Sequence, residues 1–313
     1  MTSNEADLQI AFYYRLKEIR SKYLQEALSS TLKDVDISEI DAELKQYASK
    51  TILNKIARFG VRGEIFLPVP LLFVKNPSLL GYYRLLYGIS QKEFSKKYSH
   101  YHSYEVNKGN KAMAREDAIA LTKLLISIGE SLVSGIDEVS KVIAHELQLL
   151  TLGPQLRGGR NTELGKAATE RTFALIKSLV HDYITSSSNN AITIKNSIGR
   201  KIEIQFASDP DIVIVESLES GANRIVSIEI KGGTDYSNAH NRLGEAEKSH
   251  QKAKQEGYNE FWTIVRVDID PKMAKKESPT TTRFFNLDNI ENEDHKDAKA
   301  FKELISSKLA IKL

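Results

Sequence analysis

Two strand-type runs joined by a polar turn set the tightest limit on what this chain can fold into. The first, Asp209-Pro210-Asp211-Ile212-Val213-Ile214-Val215, opens on acids and continues as an unbroken apolar run. The second, Ile228-Glu229-Ile230-Lys231-Gly232-Gly233, ends in an acid, one apolar residue, a lysine and a glycine pair. Glu216 to Asn223, between them, is polar and contains Gly221, as a turn requires. A continuous apolar run of this length describes a strand covered on both faces, so helices must pack against the sheet. Side chains alternate along a strand, which places Glu229 and Lys231 on one face and Ile228 and Ile230 on the other.

The flanks supply the rest of such a sheet. A helix is expected from about Thr162 to Ile184, with Leu164, Ala168, Leu175, Leu179 and Tyr183 along its buried side. Strands are expected at Ala191 to Lys195 and Lys201 to Phe206, around a hairpin loop at Asn196-Ser197-Ile198-Gly199-Arg200. The central pair then occupies Ile212 to Val215 and Ile225 to Ile230. A helix from Arg242 to Glu256 ends at Gly257, and Phe261 to Val267 reads as the next strand. Beyond Asp270 the chain is polar, and a short helix from about Asp297 to Leu309 closes it. One helix, four strands, a helix and a fifth strand make a mixed β-sheet between helices, an α/β (α+β) class.

The first half has another character. Residues 5–50 read as mostly helical, with Leu8, Phe12, Leu16 and Ile19 in one stripe. Asp36-Ile37-Ser38 reads as a turn, with Ser38 capping a helix through Leu44 to Ile56. Gly60, Gly63, Pro68, Pro70 and Pro77 predict short extended segments over 60–80. From Leu79 to Tyr98 a helix, a turn at Gly88 and a second helix are expected, the latter capped by Ser90 with Glu93 completing a capping box. Helix, glycine turn and basic-aromatic helix outline a helix-turn-helix. Arg84 and Lys92, with Lys96 and Lys97, could then reach phosphates and Gln91 a base edge. The plainer alternative is a helical hairpin with a solvated lysine face. His100 and His102 read as surface histidines. Helices from Glu116 to Ile128 and Ile136 to Leu150 complete a mainly helical, DNA-contacting domain over residues 1–150. Thr151 to Asn161 is glycine-rich and reads as a break, carrying Arg157 and Arg160 either toward phosphate and guanine or simply as a soluble linker. Residues 151–313 form the second domain.

Composition narrows the class. At 313 residues two compact units are expected, and 27% charged with 41% hydrophobic residues is the balance of a soluble globular protein. A net charge of +3 permits a nucleic-acid partner only through a local basic surface. The absence of cysteine excludes disulfides, thiol nucleophiles and thiolate metal sites. The start Met1 to Asp7 is polar and acidic with no secretory h-region behind it, and no apolar stretch approaches a membrane span. A soluble, cytoplasmic protein is expected.

Asp211 at one strand's start beside Glu229-Ile230-Lys231 at its neighbour's end suits metal-dependent phosphodiester hydrolysis. A magnesium ion (Mg2+) prefers hard oxygen ligands and keeps several waters, so Asp211 and Glu229 suffice to hold it, with the Ile230 carbonyl as a third donor. Lys231, on the same face as Glu229, would orient or help deprotonate a water and offset negative charge in the transition state. Glu170, or failing it Glu163, from the preceding helix could complete the site. Glu-x-Lys alone carries little weight, since Glu43-Leu44-Lys45 has it inside a helix. The alternative is a surface salt bridge at a sheet edge. After Lys231 the loop gathers Asn238, His240, Asn241 and Arg242, groups able to read base edges, and the following helix carries Lys248, Lys252 and Lys254.

The run from Glu229 through Gly232-Gly233-Thr234-Asp235 and the loop and helix to Lys254 resembles the XcyI-type restriction endonucleases. So does Tyr82-Tyr83-Arg84-Leu85-Leu86-Tyr87-Gly88-Ile89-Ser90-Gln91-Lys92-Glu93-Phe94, and Arg157-Gly158-Gly159-Arg160-Asn161 fits as well. The resemblance spans about Gly81 to Asp268. It implies a PD-(D/E)xK nuclease fold, magnesium dependence, double-strand cleavage at a short palindrome such as CCCGGG, and Asp211, Glu229 and Lys231 as the active site. A palindromic target calls for two symmetric sites, hence a homodimer. The expected activity is a type II restriction endonuclease cutting duplex DNA to 5′-phosphate ends. A structure-specific repair or junction nuclease of the same fold and a non-catalytic DNA-binding regulator are the alternatives.

Overall fold

Apolar residues at three- and four-residue spacing build the first half of the chain into helices. The structure, a computed structural model, describes residues 6–106, 111–234 and 236–313. Residues 1–5 of the polar start and Asp235 in the run after Lys231 lie outside the described residues. The chain divides into two compact units, residues 1–158 and 159–313.

The first unit contains α1 (Asp7–Tyr23), α2 (Gln25–Thr31), α3 (Ile37–Tyr47), α4 (Lys50–Arg58), α5 (Pro70–Lys75), α6 (Leu79–Leu86), α7 (Gln91–Lys97), α8 (Ser99–Val106), α9 (Arg115–Gly135) and the start of α10 (Lys141–Leu179). The expected stripe of α1 is present, but its residues are only half-buried. Asp36, not Ser38, caps α3: its carboxylate accepts from the Ser38 N–H at 2.8 Å, and the helix breaks before α4. The extended segments expected over 60–80 are instead a 3₁₀ turn at Gly63–Ile65 and helix α5. Pro70 sits at the first turn of α5, where its missing N–H leaves no helical bond unmade. Gly88 turns the chain between α6 and α7 at φ 73°, a left-handed conformation that favours glycine, and the Ser90–Glu93 capping box forms as expected. Helix α9 corrects one expectation, being long and apolar enough to cross a membrane by length and composition. Its Leu121, Leu125 and Val133 are fully buried in the core of this unit.

The break expected at 151–161 is also absent. Helix α10 runs through it with Pro154 inside. Leu149, Leu152 and Leu156 recur at helical spacing and pack with Leu24 and Leu85, and that burial outweighs the poor helix propensity of Gly153, Pro154, Gly158 and Gly159.

The second unit is a seven-stranded sheet in the order β1 (Ile184–Ser187), β2 (Ala191–Lys195), β3 (Lys201–Phe206), β4 (Ile212–Leu218), β5 (Gly221–Lys231), β6 (Glu260–Val265) and β7 (Arg283–Asn286). β1 to β5 form an antiparallel meander; β6 and β7 add in parallel. Helix α11 (Ala239–Gln255) connects β5 to β6, α12 (Pro271–Glu277) connects β6 to β7, and α13 (Leu287–Ile290) and α14 (Lys296–Leu309) close the chain. The five expected strands are all present; β1 and β7, four residues each at the sheet edges, were not expected. One face, with Ile192, Ile204, Ile212, Ile228 and Ile230, packs on Ala168, Phe173 and Ile176 of α10 and Phe301 and Ile305 of α14. On the other, Val213 and Phe261 pack on Ala253 of α11. A mixed sheet flanked by helices, following a helical first half, is the fold class expected.

Candidate active site

Register puts the two acids together. Ile212 pairs with Ile228 in the antiparallel ladder of β4 and β5, so one step further Asp211 stands across from Glu229. Residues opposed in this way project from the same face, with Cβ atoms about 5 Å apart. The Asp211 carboxylate is oriented by the Ile230 N–H, which donates to Oδ2 at 2.7 Å. Lys231 Nζ donates to Glu229 Oε1 at 2.7 Å, and Glu245 of α11 approaches the same ammonium at 3.7 Å.

Burial governs the electrostatics of this cluster. It pushes the Asp211 carboxyl above its ordinary pKa, against the Ile230 hydrogen bond and the Lys231 charge. It pushes Glu229 up as well, and neighbouring Asp211 adds to the shift. For Lys231 burial acts downward, but the surrounding charges of Glu229, Glu245 and Asp211 outweigh it and hold the ammonium above its usual value. Glu229 Oε2 is buried with no hydrogen-bond partner. An unsatisfied carboxylate oxygen beside the half-buried carboxylate of Asp211 is a donor set that a hard divalent cation fits. Among the described residues no group of three or more His, Asp or Glu side chains surrounds an ion position. Two carboxylates remain sufficient for an ion that keeps its own waters.

Two acids that sequence reasoning missed stand at the site. Glu245 lies fourteen residues along the chain from Lys231, and only the folding back of α11 brings it near. Asp209 is held by Ser249 and Lys252 of α11, and the hydrogen bond from Lys252 lowers its pKa. Lys252 is thereby committed to protein rather than left for a nucleic-acid backbone. Asp209 had a visible signal, lying two residues before Asp211; Glu245 had none.

Glu170 is not brought to the cluster. Helix α10 covers the face carrying Ile228 and Ile230, opposite to the one bearing Glu229 and Lys231. Around that helix Glu170 lies about 200° from the buried Ala168, and it pairs with Lys166 in solvent at 3.6 Å. Glu163, also exposed, is on the same helix.

Arg84 is corrected too. It is 2% exposed, and its guanidinium donates to both oxygens of buried Glu105 at 2.9 and 2.7 Å and to the Ile89 carbonyl. Helix α6 is buried along its whole length, so it braces α7 and α8 and offers no phosphate contact. Gln91 is half-buried with its amide 3.4 Å from Glu105, whereas Lys92, Lys96 and Lys97 are exposed. Arg157 is exposed and Arg160 half-buried, both on α10 instead of a loop.

Asn238, His240, Asn241 and Arg242 gather in a 3₁₀ turn and the first turn of α11 rather than in an open loop. His240 lies 3.3 Å from Glu277, and Asn241 is exposed. The Arg242 guanidinium lies against Gly233, where a Cβ would stand 2.3 Å from it. These groups therefore cluster beside the end of β5 that carries Lys231.

A mixed sheet between helices, gathering two carboxylates and a lysine on one strand pair, defines a nuclease of the restriction-endonuclease class. The model of the XcyI restriction endonuclease family matches residues 13–312, and the chain belongs to that family. It is 41% identical to the type II restriction enzyme Cfr9I of Citrobacter freundii over 98% of this chain and 96% of that protein. It is 42% identical to the type II restriction enzyme XcyI of Xanthomonas campestris pv. cyanopsidis over 90% of this chain and 87% of that one. The chain is a type II restriction endonuclease, a site-specific deoxyribonuclease acting on DNA. The alternatives of a structure-specific repair nuclease and a non-catalytic regulator are thereby set aside.

Proposed function

We propose that this chain hydrolyses both strands of duplex DNA at a short GC-rich palindrome, CCCGGG or a close relative, leaving 5′-phosphates. Asp211, Glu229 and Lys231 are its active site, Mg2+ its cofactor, and a homodimer in the cytoplasm its working form. The observation that carries the site assignment is the convergence of buried Glu229, its unpartnered Oε2 and the Lys231 ammonium on Asp211 across one strand pair.

Asp211 and Glu229 would hold the ion, which when bound polarises the scissile phosphate and acidifies a water. Lys231, kept cationic by its carboxylate neighbours, orients the attacking water and offsets the charge that builds on the phosphate oxygens. Its raised pKa favours that role over proton abstraction. The Ile230 N–H fixes the Asp211 carboxylate so that little reorganisation is needed when substrate arrives. Asn238, His240, Asn241 and Arg242, beside the same strand end, are proposed to face the bases, and Lys92, Gln91, Arg157 and Arg160 to contact DNA elsewhere. Both named relatives are type II restriction enzymes, and the resemblance of the Glu229 to Lys254 run supports the GC-rich target.

The test is a plasmid carrying one CCCGGG site, incubated with protein and either magnesium or chelator. Linear product with 5′-phosphate ends is expected with magnesium alone. Lys231→Ala should reduce the rate by at least about a hundredfold. Undiminished cutting by that variant would overturn the site assignment.

A further inference from the structure

A chain of polar side chains, buried except for the half-buried glutamate at its end, runs beneath the site, and nothing in the proposed chemistry uses it. His250 of α11 is fully buried, with Nε2 2.9 Å from Thr263 Oγ1 and Nδ1 3.5 Å from Ser227 Oγ. Thr263 Oγ1 lies 2.8 Å from Thr281 Oγ1, which lies 2.7 Å from Ser278 Oγ. Ser278 in turn donates to Glu247 Oε2 at 3.1 Å.

The direction of every bond in this chain is fixed by its end. Glu247 accepts from Gln251 and the Thr280 hydroxyl on Oε1, and from Ser278 and the Thr280 N–H on Oε2. A carboxylate surrounded by four donors acts only as an acceptor. Ser278 has one hydroxyl hydrogen and spends it there, so Thr281 must donate to Ser278. By the same count Thr263 donates to Thr281, and His250 must donate to Thr263 from Nε2. Nδ1 is left as the acceptor facing Ser227. Burial lowers the His250 pKa to about 4, in keeping with an imidazole carrying one proton.

The chain ends on the residues that matter. Thr263 is the β6 residue in register with Glu229, and Ser227 shares the face of Glu229 and Lys231 on β5. Ser249 and Lys252, adjacent on α11, hold Asp209. We propose that His250, locked as its Nε2–H tautomer, is a positioning residue that docks α11 on Ser227 and Thr263 and so fixes where Glu229, Lys231 and Asp209 stand. This rests on the site proposed above. The glutamate, two threonines and serine of the chain serve to hold the imidazole in one orientation, as buried networks do when every member is satisfied.

Histidine-15N-labelled full-length protein reports the tautomer directly, and an Nε2–H signal for His250 is expected. An Nδ1–H signal overturns the inference whether or not any variant folds. Cleavage kinetics supply the second readout. His250→Leu should lower kcat by about tenfold or more per folded molecule, with KM unchanged within about twofold. His250→Gln, whose amide nitrogen can reach Thr263 as Nε2 does, should recover about a third of wild-type kcat. Wild-type kcat in His250→Leu, a loss confined to KM, or no recovery by glutamine each overturns the role. Lys231→Ala is run alongside. If it cleaves normally the site itself is wrong, whereas if it is inactive while His250→Leu cleaves normally only the role of His250 fails.

Discussion

At the scale of single residues, the site opposes its own stability. Asp211 has a folded pKa raised by burial, so the folded state holds its proton more tightly than the unfolded chain does. Such a group favours folding below its unfolded pKa, and that contribution is lost as pH rises through the folded value. Asp211→Asn keeps an oxygen to accept from Ile230 and removes the half-buried charge. It should abolish cleavage yet raise Tm at pH 8 by about 2–4 °C, a shift typical of about 1 kcal/mol. At pH 4 the difference should vanish; an equal gain at both pH values would mean that the ionised carboxylate carries no penalty. Arg84 shows the opposite economy. Its buried pair with Glu105 makes Arg84→Ala leave a stranded carboxylate, at about 3–5 kcal/mol by urea unfolding. If the variant unfolds at the wild-type midpoint, the pair is not structural. The salt dependence of DNA binding should keep its wild-type slope in that variant, while loss of a lysine on α7 that touches phosphate should flatten it by about 0.9. Glu229 and Lys231 could be paired from the sequence because alternation along one strand needs no tertiary information. The partner of Arg84 could not, because Glu105 meets it only after α6 and α8 pack, and an arginine in a basic-aromatic run looks the same whether it faces solvent or a buried acid.

At the scale of elements, close packing at the end of β5 fixes α10 and α11 relative to the site. A Cβ on Gly232 would stand 2.5 Å from both the Ala168 Cβ and the Leu164 carbonyl oxygen of α10, and backbone cannot step aside as a flexible side chain can. Gly232→Ala should therefore destabilise by about 1–3 kcal/mol and slow cleavage by displacing the adjoining Lys231. Gly244, in α11, meets nothing within 4 Å. There the same change should stabilise by a few tenths up to about 1 kcal/mol, because alanine is the better helix former. Thermal melts of the two variants side by side check this, and equal shifts would refute the packing argument. Local signals sufficed for most elements of the second unit: β2 and β3 alternate cleanly, β4 opens on the continuous apolar run Ile212 to Val215, and β5 alternates from Val226 to Lys231. They failed where tertiary contacts decide. Pro154 and the glycines of 151–161 mark a break by propensity, yet the Leu149, Leu152 and Leu156 stripe carries α10 through them. Pro70 read as a helix breaker and starts a helix. β1 and β7 are edge strands of four residues each, too short to show the repeating pattern that identifies a strand in isolation. The same limit hid the third acid. The expected donor was the helix before the strands, but α10 covers the isoleucine face, and it is the helix after them, α11, that lies on the side of Glu229.

At the scale of the whole molecule, the number of sites per chain constrains how a palindrome can be cut. Each chain carries one Asp211, Glu229 and Lys231 cluster, and a palindrome presents two scissile bonds related by a two-fold axis. A two-fold dimer places one cluster on each bond at once, whereas a monomer must cut, release and rebind in the opposite orientation. The two routes differ in what a dead partner does. In a dimer, wild-type chains mixed by co-expression with Lys231→Ala chains form mixed pairs able to cut only one strand, so nicked circles should accumulate from a supercoiled plasmid carrying one site. At equal amounts of the two chains random pairing leaves about a quarter of the dimers fully active, half of them mixed and a quarter inactive. The early ratio of nicked to linear product should then rise well above that of wild type alone. In a monomer the inactive chains only dilute or compete, and that ratio should not change beyond the effect of lowering the active concentration. Sedimentation of the free protein and of its complex with a palindromic duplex should show two chains per duplex in the first case. A single chain per duplex, with an unchanged product ratio in the mixture, would sink the dimer and require each strand to be cut in a separate binding event.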